Sequence, residues 1–592
     1  MIITAGNGGR GLPRPPFDDP VRSGKRLIEW AEPLLSGNET ARSKEAAMEF
    51  ALGTGQVVQK ELDRIRNDEG DHILARLVPY WEGWYLSSRD PLPVHSNPFY
   101  LFAPDSLPRG SCPYRLAARL ALSAAAFCME IDRGTIEPDT FKGEPLCMNE
   151  YAKLFRTSRM AFPGTDRQVT GSKTGPAGRS VLVLSGGVPF LLELYSEDGS
   201  LRDVEETARH LRETAACSRG DSLPVGLITS LPRDQAVHGR RLLLEGGKDN
   251  GRLLSLVEES LFVLRLDGPC GARLEDQARH FLFEGGGNGW YEKSFQLVVT
   301  EDGYAGVNFE HASRDGTHVG RLVKEILSRA PSVGGCASGL SGPVRLQFAL
   351  SPKFRDFLSG IPEKARALSG SRIQTVLSFD AFGTDAVKSG NTSPDAFMQT
   401  AMLMAARDLW GERRSVYESV HLRRFAGGRT EGTRPLTKEA AAFIDGFRSG
   451  LSSDTLKKML FESQGVHKER IRECLEGRGI EGHLWLLRGV WRERGRELGL
   501  KEEPALYCSP AWKKMSSCPV SSSTTPGEGF ALAGYGPVQP GGLGVRYLSR
   551  KDHFIIHVSS WKQDGALASE YASFLEKALS DMGRLLPIKG NR

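Results

Sequence analysis

The chain has 592 residues, which is too long for a single hydrophobic core. This length predicts two large domains, or one domain with large additions. Its 77 Lys and Arg residues nearly balance 72 Asp and Glu residues, the net charge is +5, and no basic block with interleaved aromatic residues occurs, which argues against nucleic acid as a partner. The nine cysteines are scattered without a C-x-x-C pair, which predicts neither a zinc site nor a disulfide framework.

The sequence constrains the cellular compartment of the protein only loosely. Residues 1–10 lack the apolar segment of a secretory signal, and residues 589–592 do not form the peroxisomal S-K-L signal. No apolar run reaches the roughly 20 residues that a transmembrane helix needs. We expect a soluble protein of the cytosol or the mitochondrion, and a monomer.

Helices, and then an alternation of strands and helices, are predicted along the first part of the chain. A proline-rich segment at 12–16 precedes helical patterns that extend to residue 67. Strands are predicted at 180–195 and 226–229, with helices at 203–214 and 234–244. Such an alternation is typical of an α/β domain.

The stretch around His311 carries the clearest catalytic signal. Two β-favouring runs between residues 295 and 309 predict a hairpin, and the apolar spacing of residues 319–327 predicts a helix. His311 therefore ends a strand just before a turn into a helix, in the pattern His311-x-x-x-Asp315-Gly316. A histidine that ends a strand is often only structural, but Asp315 can fix this turn by bonding backbone N–H groups, which favours a positioned side chain.

A new pattern of helices and strands begins near residue 352. A strand is predicted at 376–382, and Ser393 and Pro394 are typical of the N-cap and first residue of a helix. A run of three serines follows at 521–523; such runs are usually flexible loops, but the resemblance given below, which extends to Gly536-Pro-Val538, argues against that interpretation.

Several of these segments together resemble the choline/carnitine O-acyltransferases. The shared motifs are His311-x-x-x-Asp315-Gly316, Asn288-Gly-Trp-Tyr-Glu-Lys293, Gly143-Glu-Pro-Leu-Cys-Met-Asn-Glu-Tyr151 with Arg159 after it, Tyr417-Glu-Ser-Val-His-Leu-Arg-Arg424-Phe and Gly428-Arg-Thr-Glu431. In the motif that ends at Tyr151 only Glu150 departs from the family's pattern, and we interpret this motif as structural. The resemblance covers nearly the whole chain.

The resemblance implies an α/β fold of two CoA-dependent acyltransferase-type domains, similar to chloramphenicol acetyltransferase, each a mixed sheet with helices. Residues 1–88 would form a helical segment that packs on the second domain. Residues 89–351 would form the first domain, which carries the histidine, and residues 352–592 the second. The active-site tunnel would lie at the interface between the two domains.

The resemblance also implies the chemistry. Acyl-CoA would be a substrate, and neither a permanently bound cofactor nor a metal would be needed. His311 would act as general base, Ser521 would donate a hydrogen bond to the oxyanion, and Asp315 would complete the catalytic group. The alcohol would attack the thioester directly, without an acyl-enzyme.

The acceptor implied by the resemblance is carnitine, held by Tyr417, Thr430, Ser523 and His95. Thr430 favours carnitine, because choline-using members have Val at this position. Gly482, however, stands where carnitine enzymes have an Arg opposite the carboxylate of the acceptor. Loss of such a charged partner typically costs about 2–5 kcal/mol.

The resemblance assigns Lys388, Ser393 and Asp395 to CoA binding, and Thr384 replaces a second lysine that related enzymes carry. One cation can still pair with a phosphate, but with a single lysine we expect weaker binding of CoA.

The acyl pocket is assigned to Ala533 and Gly534. Members that transfer only acetyl groups have a bulky Met at the first of these positions. Small residues would leave room for further methylenes, each worth roughly 0.8 kcal/mol when buried, which predicts a medium-to-long acyl chain.

Two alternatives remain open. One is an O-acyltransferase that uses choline or another amino alcohol, which Gly482 and His95 favour. The other is a weakly active relative that binds acyl-CoA, which Thr384 and Gly482 favour. The presence of His311 argues against the second alternative, because a binding protein has no use for a positioned base.

Overall fold

The computed structural model describes residues 11–16, 18–68, 74–218, 223–284, 287–337, 339–525 and 527–586. The predictions about residues 1–10 and 589–592 lie outside these ranges. No helix among the described residues is long and apolar enough to cross a membrane.

Twenty α-helices and eighteen strands are found in the described ranges. The helices are α1 Pro20–Ala31, α2 Gly37–Leu52, α3 Thr54–Asp68, α4 Leu74–Ser87, α5 Leu92–His95, α6 Pro113–Arg133, α7 Val204–Cys217, α8 Arg233–Glu245, α9 Asn250–Glu259, α10 Leu274–Phe283, α11 Gly316–Arg329, α12 Pro352–Ser359, α13 Ile361–Gly370, α14 Thr384–Ser389, α15 Pro394–Trp410, α16 Lys438–Arg448, α17 Ser453–Leu475, α18 Glu481–Arg494, α19 Pro510–Met515 and α20 Leu567–Gly583. The strands are β1 Phe99–Phe102, β2 Thr140–Phe141, β3 Glu144–Pro145, β4 Thr157–Met160, β5 Arg167–Thr170, β6 Ser180–Ser185, β7 Val188–Glu193, β8 Val263–Asp267, β9 Phe295–Thr300, β10 Ala305–Phe309, β11 Val344–Arg345, β12 Arg372–Phe379, β13 Val416–His421, β14 Thr430–Thr433, β15 Val520–Thr524, β16 Phe530–Gly534, β17 Leu543–Ser549 and β18 Phe554–Trp561.

Two mixed sheets organise these elements. The first has eight strands in the order β11-β7-β6-β8-β9-β10-β1-β16, and the second has six in the order β12-β18-β17-β15-β13-β14. The first contains the parallel pairs β6/β8 and β8/β9, the second the parallel pairs β13/β15 and β15/β17, and their other pairs are antiparallel. The predicted α/β class with two mixed sheets is confirmed.

One strand connects the two halves of the chain. β16 lies far along the sequence, yet it pairs with β1 at the edge of the first sheet, with Phe99 opposite Gly534. If the chain is divided at residue 352, every strand of the first sheet except β16 lies before the division, and every strand of the second sheet lies after it. The pairing covers the free edge of β1 and ties the second half of the chain to the first.

The N-terminal helices pack on the second half of the chain. Leu27, Trp30 and Phe50 share one hydrophobic cluster with Leu484 of α18 and Trp512 of α19. This cluster joins α1 and α2 to α18 and α19, and the division of the chain at residue 88 stays a prediction.

The predicted hairpin at 295–309 is present as β9 and β10, and the predicted helix after it is α11. The prediction of a strand at 226–229 is wrong. These residues lie in a 3-10 helix, Val225–Ser230, in which the hydroxyls of Thr229 and Ser230 donate to carbonyls three residues back, at 2.6 and 2.8 Å. β-branched composition alone does not distinguish a strand from a buried short helix.

Candidate active site

A cavity of about 2000 Å³ is lined by residues from both halves of the chain. The predicted site residues that line it are His311, Asp315, Ser521, Ser523, Tyr417, Thr430 and His95. The structure thus brings together residues separated by more than 400 positions. Lys388, Ser393, Asp395, Ala533 and Gly534 are not among the described residues that line it.

His311 lies two residues beyond the end of β10. Its ring stacks on that of Tyr85, with centroids 5.4 Å apart and planes inclined by 9°. Nδ1 is buried without a hydrogen-bond partner in the described ranges, and its distance of 3.8 Å from Asp315 Oδ1 is too long for a hydrogen bond. The side chain is 28% exposed, so the ring is held on one side and open on the other.

The pKa of His311 is lowered from 6.5, chiefly because burial disfavours the charged ring. The nearby Asp315 carboxylate opposes this shift, and the Arg429 guanidinium adds to it. The imidazole is therefore held in its neutral, proton-accepting form at neutral pH.

Asp315 does not cap α11 with its side chain. Instead its carboxylate accepts two hydrogen bonds from Arg429, Nε to Oδ2 and Nη2 to Oδ1, both 3.0 Å long. Arg429 also donates to the carbonyls of Ala312 and His311 at 2.9 and 3.3 Å. The expectation that Asp315 fixes the turn by bonding backbone N–H groups is therefore wrong. A guanidinium from the second half of the chain holds this turn, because a bidentate ion pair satisfies the buried carboxylate more fully than a cap.

Glu150 belongs to the same network, although its motif was interpreted as structural. Its Oε2 accepts from the backbone N–H of Asp315 at 2.7 Å and lies 2.8 Å from Nδ1 of His318, and its Oε1 lies 3.3 Å from Nε of Arg429. The only sequence signal was that Glu150 departs from the family's pattern. Its carboxylate therefore supports the turn between His311 and α11.

The serine run lies on β15, in the middle of the second sheet, and not in a loop. Ser521 and Ser523 alternate with Ser522, so their side chains share one face of the strand. The Tyr535 hydroxyl donates to the Ser521 carbonyl at 2.7 Å, so in its 3.5 Å contact with the Ser521 Oγ the serine hydroxyl is the donor. Tyr417 of β13 lies directly beside Ser521 in the parallel pairing.

Gly482 lies in the part of the cavity that is assigned to the acceptor, together with the ionisable side chains of Glu431, Arg434 and Glu481. We call this part the acceptor corner. Arg434 pairs with Glu481, donates to the carbonyl of Met515, and lies 4.9 Å from the centre of the Tyr417 ring. Glu431 accepts from the backbone N–H groups of Glu481 and Gly482, at 2.9 and 3.2 Å, at the start of α18. Burial, with the neighbouring Glu481 charge, raises the pKa of Glu431 to about 8, so Glu431 is mostly protonated at neutral pH.

Aromatic side chains form another wall of the cavity. Trp84 is 5.8 Å from Trp485 and 5.3 Å from Tyr85, measured between ring centroids. His95 lies 5.0 Å from Trp561, and burial lowers its pKa, so its ring is neutral at neutral pH. These ring faces are suited to contact with a cationic group.

The residues assigned to CoA lie beyond this cavity. Lys388 is exposed near the end of α14, and Ser393 caps α15 by accepting from the N–H of Ala396 at 3.5 Å. Asp395 accepts from the Tyr547 hydroxyl at 2.6 Å and lies near Glu418, which lines the cavity. Lys388 therefore stands outside the enclosed region, where a phosphate remains solvated.

One group of three side chains in the described ranges, Asp395, Glu418 and His467, is close enough to hold a metal ion. Burial, with the adjacent Asp395 charge, raises the pKa of Glu418 well above its usual range, and the pKa of Asp395 is lowered. Two neighbouring carboxyl groups with opposite shifts share one proton.

Ala533 and Gly534 are closely packed. A Cβ atom at Gly534 would lie 2.5 Å from His557 Nδ1 and 2.7 Å from Phe99 Cε1. Ala533 is fully buried. Two aromatic rings therefore occupy the space that a side chain at position 534 would take, and the medium-to-long acyl chain stays a prediction.

A family model for the choline/carnitine O-acyltransferases matches residues 12–577. The chain belongs to this family. This O-acyltransferase is 28% identical over 614 residues to mitochondrial carnitine O-palmitoyltransferase 2 of Mus musculus, with 96% of this chain and 91% of the relative covered. It is also 28% identical over 608 residues to carnitine O-acetyltransferase of Columba livia, with 97% and 93% covered.

Among solved structures, this O-acyltransferase is similar to the wax ester synthase/diacylglycerol acyltransferase from Marinobacter aquaeolei VT8, with a TM-score of 0.34, 11% identity, and 85% of this chain and 97% of that chain covered. It is also similar to the epimerization domain of tyrocidine synthetase B, with a TM-score of 0.35, 10% identity, and 82% and 92% covered.

Proposed function

We propose that this enzyme transfers an acyl group reversibly between CoA and the hydroxyl of carnitine, with His311 as the general base. The observation that carries the proposal is the position of His311, a neutral imidazole with one face against Tyr85 that opens on the cavity lined by the serines of β15. The relatives named as carnitine O-palmitoyltransferase 2 and carnitine O-acetyltransferase support carnitine as the acceptor.

The mechanism assigns one task to each group. Because Nδ1 is buried, Nε2 of His311 takes the proton of the acceptor hydroxyl while the hydroxyl oxygen attacks the thioester carbonyl. The Ser521 hydroxyl donates to the oxyanion of the tetrahedral intermediate, and one such donor is worth about 10²–10³ in rate. The intermediate then collapses, the C–S bond breaks, and His311 returns the proton to the CoA sulfur. No acyl-enzyme forms.

The rate of ester formation should rise with pH through the pKa of His311 and then level off. Only the neutral imidazole accepts a proton, and burial lowers its pKa from 6.5, so half of the activity should be lost only below pH 6.5. A profile of kcat/KM against pH checks this, and a midpoint above pH 6.5 would contradict it. Asp315→Asn should move the midpoint to lower pH, because the Asp315 charge opposes the shift.

A specific observation favours a second acceptor, choline or a similar amino alcohol. Carnitine needs a cation for its carboxylate, but in the described part of the acceptor corner Arg434 already pairs with Glu481, and Gly482 has no side chain. The N–H groups at the start of α18 are occupied by Glu431. The ring faces of Trp84 and its neighbours suit the ammonium group that both acceptors share.

Gly482→Arg should raise kcat/KM for L-carnitine relative to choline. A charged partner for a buried carboxylate is worth about 2 kcal/mol or more, which corresponds to roughly 30-fold. A Cβ at position 482 would lie 2.8 Å from Glu431 Oε2, the end of a side chain that must turn aside to admit the arginine. Gly482→Gln is the matched control, since it adds similar bulk without charge and should leave the ratio unchanged.

A thiol-release assay with acyl-CoA and each alcohol tests the proposal as a whole. Carnitine-dependent release of CoA supports the first acceptor, and preference for choline by the native enzyme supports the second. If neither alcohol releases CoA from any acyl-CoA that the protein binds, it is an acyl-CoA-binding relative and the proposed function is wrong.

A further inference from the structure

One end of the cavity extends along α18. It is lined by residues that recur at the spacing of one helix face, Gly482, Trp485, Leu486, Gly489 and Arg492. From its first to its last residue this face is about 15 Å long, by the rise of an α-helix. The opposite face packs into the hydrophobic cluster that contains α1 and α2, through Leu484, Leu487 and Val490. We call the end of the cavity along the first face the α18 groove.

A series of aromatic rings connects His311 to the α18 groove. The His311 ring stacks on that of Tyr85. Tyr85 lies 5.3 Å from Trp84, and Trp84 lies 5.8 Å from Trp485, both measured between ring centroids. Trp84 lines the cavity and is still 58% exposed. An open aromatic surface that begins at the catalytic base is suited to bind part of a substrate.

The α18 groove is longer than either carnitine or choline. In both alcohols the ammonium group is close to the hydroxyl, which must lie at His311 to react, and the nitrogen carries only methyl groups. Gly482 and Gly489 add no side chains to the groove from its own helix. A larger substituent on the nitrogen of the acceptor would therefore extend along the rings and into the groove.

The charges at this end favour a cationic or neutral group over an anion. Arg434 pairs with Glu481, and Arg488 pairs with Glu503 at 2.5 Å. Arg492 is exposed at the far end of the groove. The surface that leads there from His311 is aromatic, and ring faces attract ammonium groups and bind apolar ones.

We propose that the α18 groove binds the nitrogen substituent of the acceptor, and that this enzyme also acylates amino alcohols whose nitrogen carries an aromatic or other large apolar group. The inference rests on the proposed function, and it extends the class of acceptor beyond carnitine and choline. The reaction itself is the same. The alcohol oxygen forms the ester bond, the C–S bond of the thioester breaks, and His311 passes the proton to the CoA sulfur.

The test compares choline with N-benzyl-N,N-dimethylethanolammonium, in which a benzyl group replaces one methyl group, by kcat/KM for thiol release from the same acyl-CoA. The native enzyme should favour the benzyl compound on the order of tenfold, because its ring is buried as a phenylalanine side chain would be. Gly489→Leu, which fills the groove, should abolish this preference. Gly465→Leu is the matched control and should retain it, since Gly465 is exposed on α17 and is not among the described residues that line the cavity.

The absence of a native preference for the benzyl compound would overturn the inference, and so would a preference that Gly489→Leu leaves unchanged. Release of CoA with carnitine alone would also overturn it, while supporting the proposed function. If Gly489→Leu does not fold, the native preference alone decides. Failure of the proposed function is distinct, since it would be the absence of CoA release with every acyl-CoA and every alcohol.

Discussion

His311→Ala should abolish acyl transfer while acyl-CoA binding stays nearly intact. A positioned general base contributes roughly 10²–10⁴-fold, and His311 is the neutral imidazole assigned to the proton of the acceptor hydroxyl. The residues assigned to CoA lie elsewhere in the fold, on α14 and α15, so the dissociation constant for acyl-CoA should change little. Turnover by thiol release and binding by calorimetry measure the two effects separately.

His238→Ala is the matched control for this substitution. His238 is an exposed histidine on α8 that is not among the residues lining the cavity, and its truncation should leave turnover unchanged. Turnover retained by His311→Ala within about tenfold of the native value would discard the assignment of the base.

Arg429→Lys should produce the second large effect, a loss of turnover that exceeds any loss of acyl-CoA affinity. Lys keeps the charge but cannot make the two parallel bonds to Asp315 together with the bonds to the Ala312 and His311 carbonyls. The turn that positions His311 then loses these hydrogen bonds. We expect a fall in kcat on the order of 10²-fold, because a small misplacement of a catalytic group has that effect.

Arg429→Ala should also destabilise the protein, by about 3–5 kcal/mol, because the buried carboxylates of Asp315 and Glu150 lose their cation. Thermal unfolding measures this. Arg424→Lys, at an exposed position on the same segment, should change neither turnover nor stability. If Arg429→Lys keeps native turnover, Arg429 has only a structural role in joining the two halves of the chain.

The catalytic segment could be predicted because its signals are local. The alternation in β9 and β10, the turn between them and the apolar spacing in α11 each depend on residues within about one turn or one strand of each other. The N-cap at Ser393 and the first helical residue Pro394 were predictable for the same reason.

The partner of Asp315 could not be predicted, because it lies 114 positions away in the sequence. A carboxylate at the start of a helix has a local partner in backbone N–H groups, and the sequence offers nothing to show that a distant guanidinium replaces it. The contact of Glu150 with this turn could not be predicted for the same reason. Its motif contains turn and apolar residues, and its contact with the catalytic turn exists only after folding.

The two residues assigned to the acyl pocket show most clearly what the sequence cannot predict. Ala533 and Gly534 are small, and the sequence by itself determined only that no large side chain comes from those two positions. The tertiary structure decided whether the vacated volume is empty, since His557 reaches it from β18 and Phe99 from β1. The sequence determined the family through its motifs, and the resemblance implied the two mixed sheets. Local periodicity determined that a histidine ends a strand. Close packing in the tertiary structure decided the rest, since the side chain that fills the space beside a residue can come from any part of the chain.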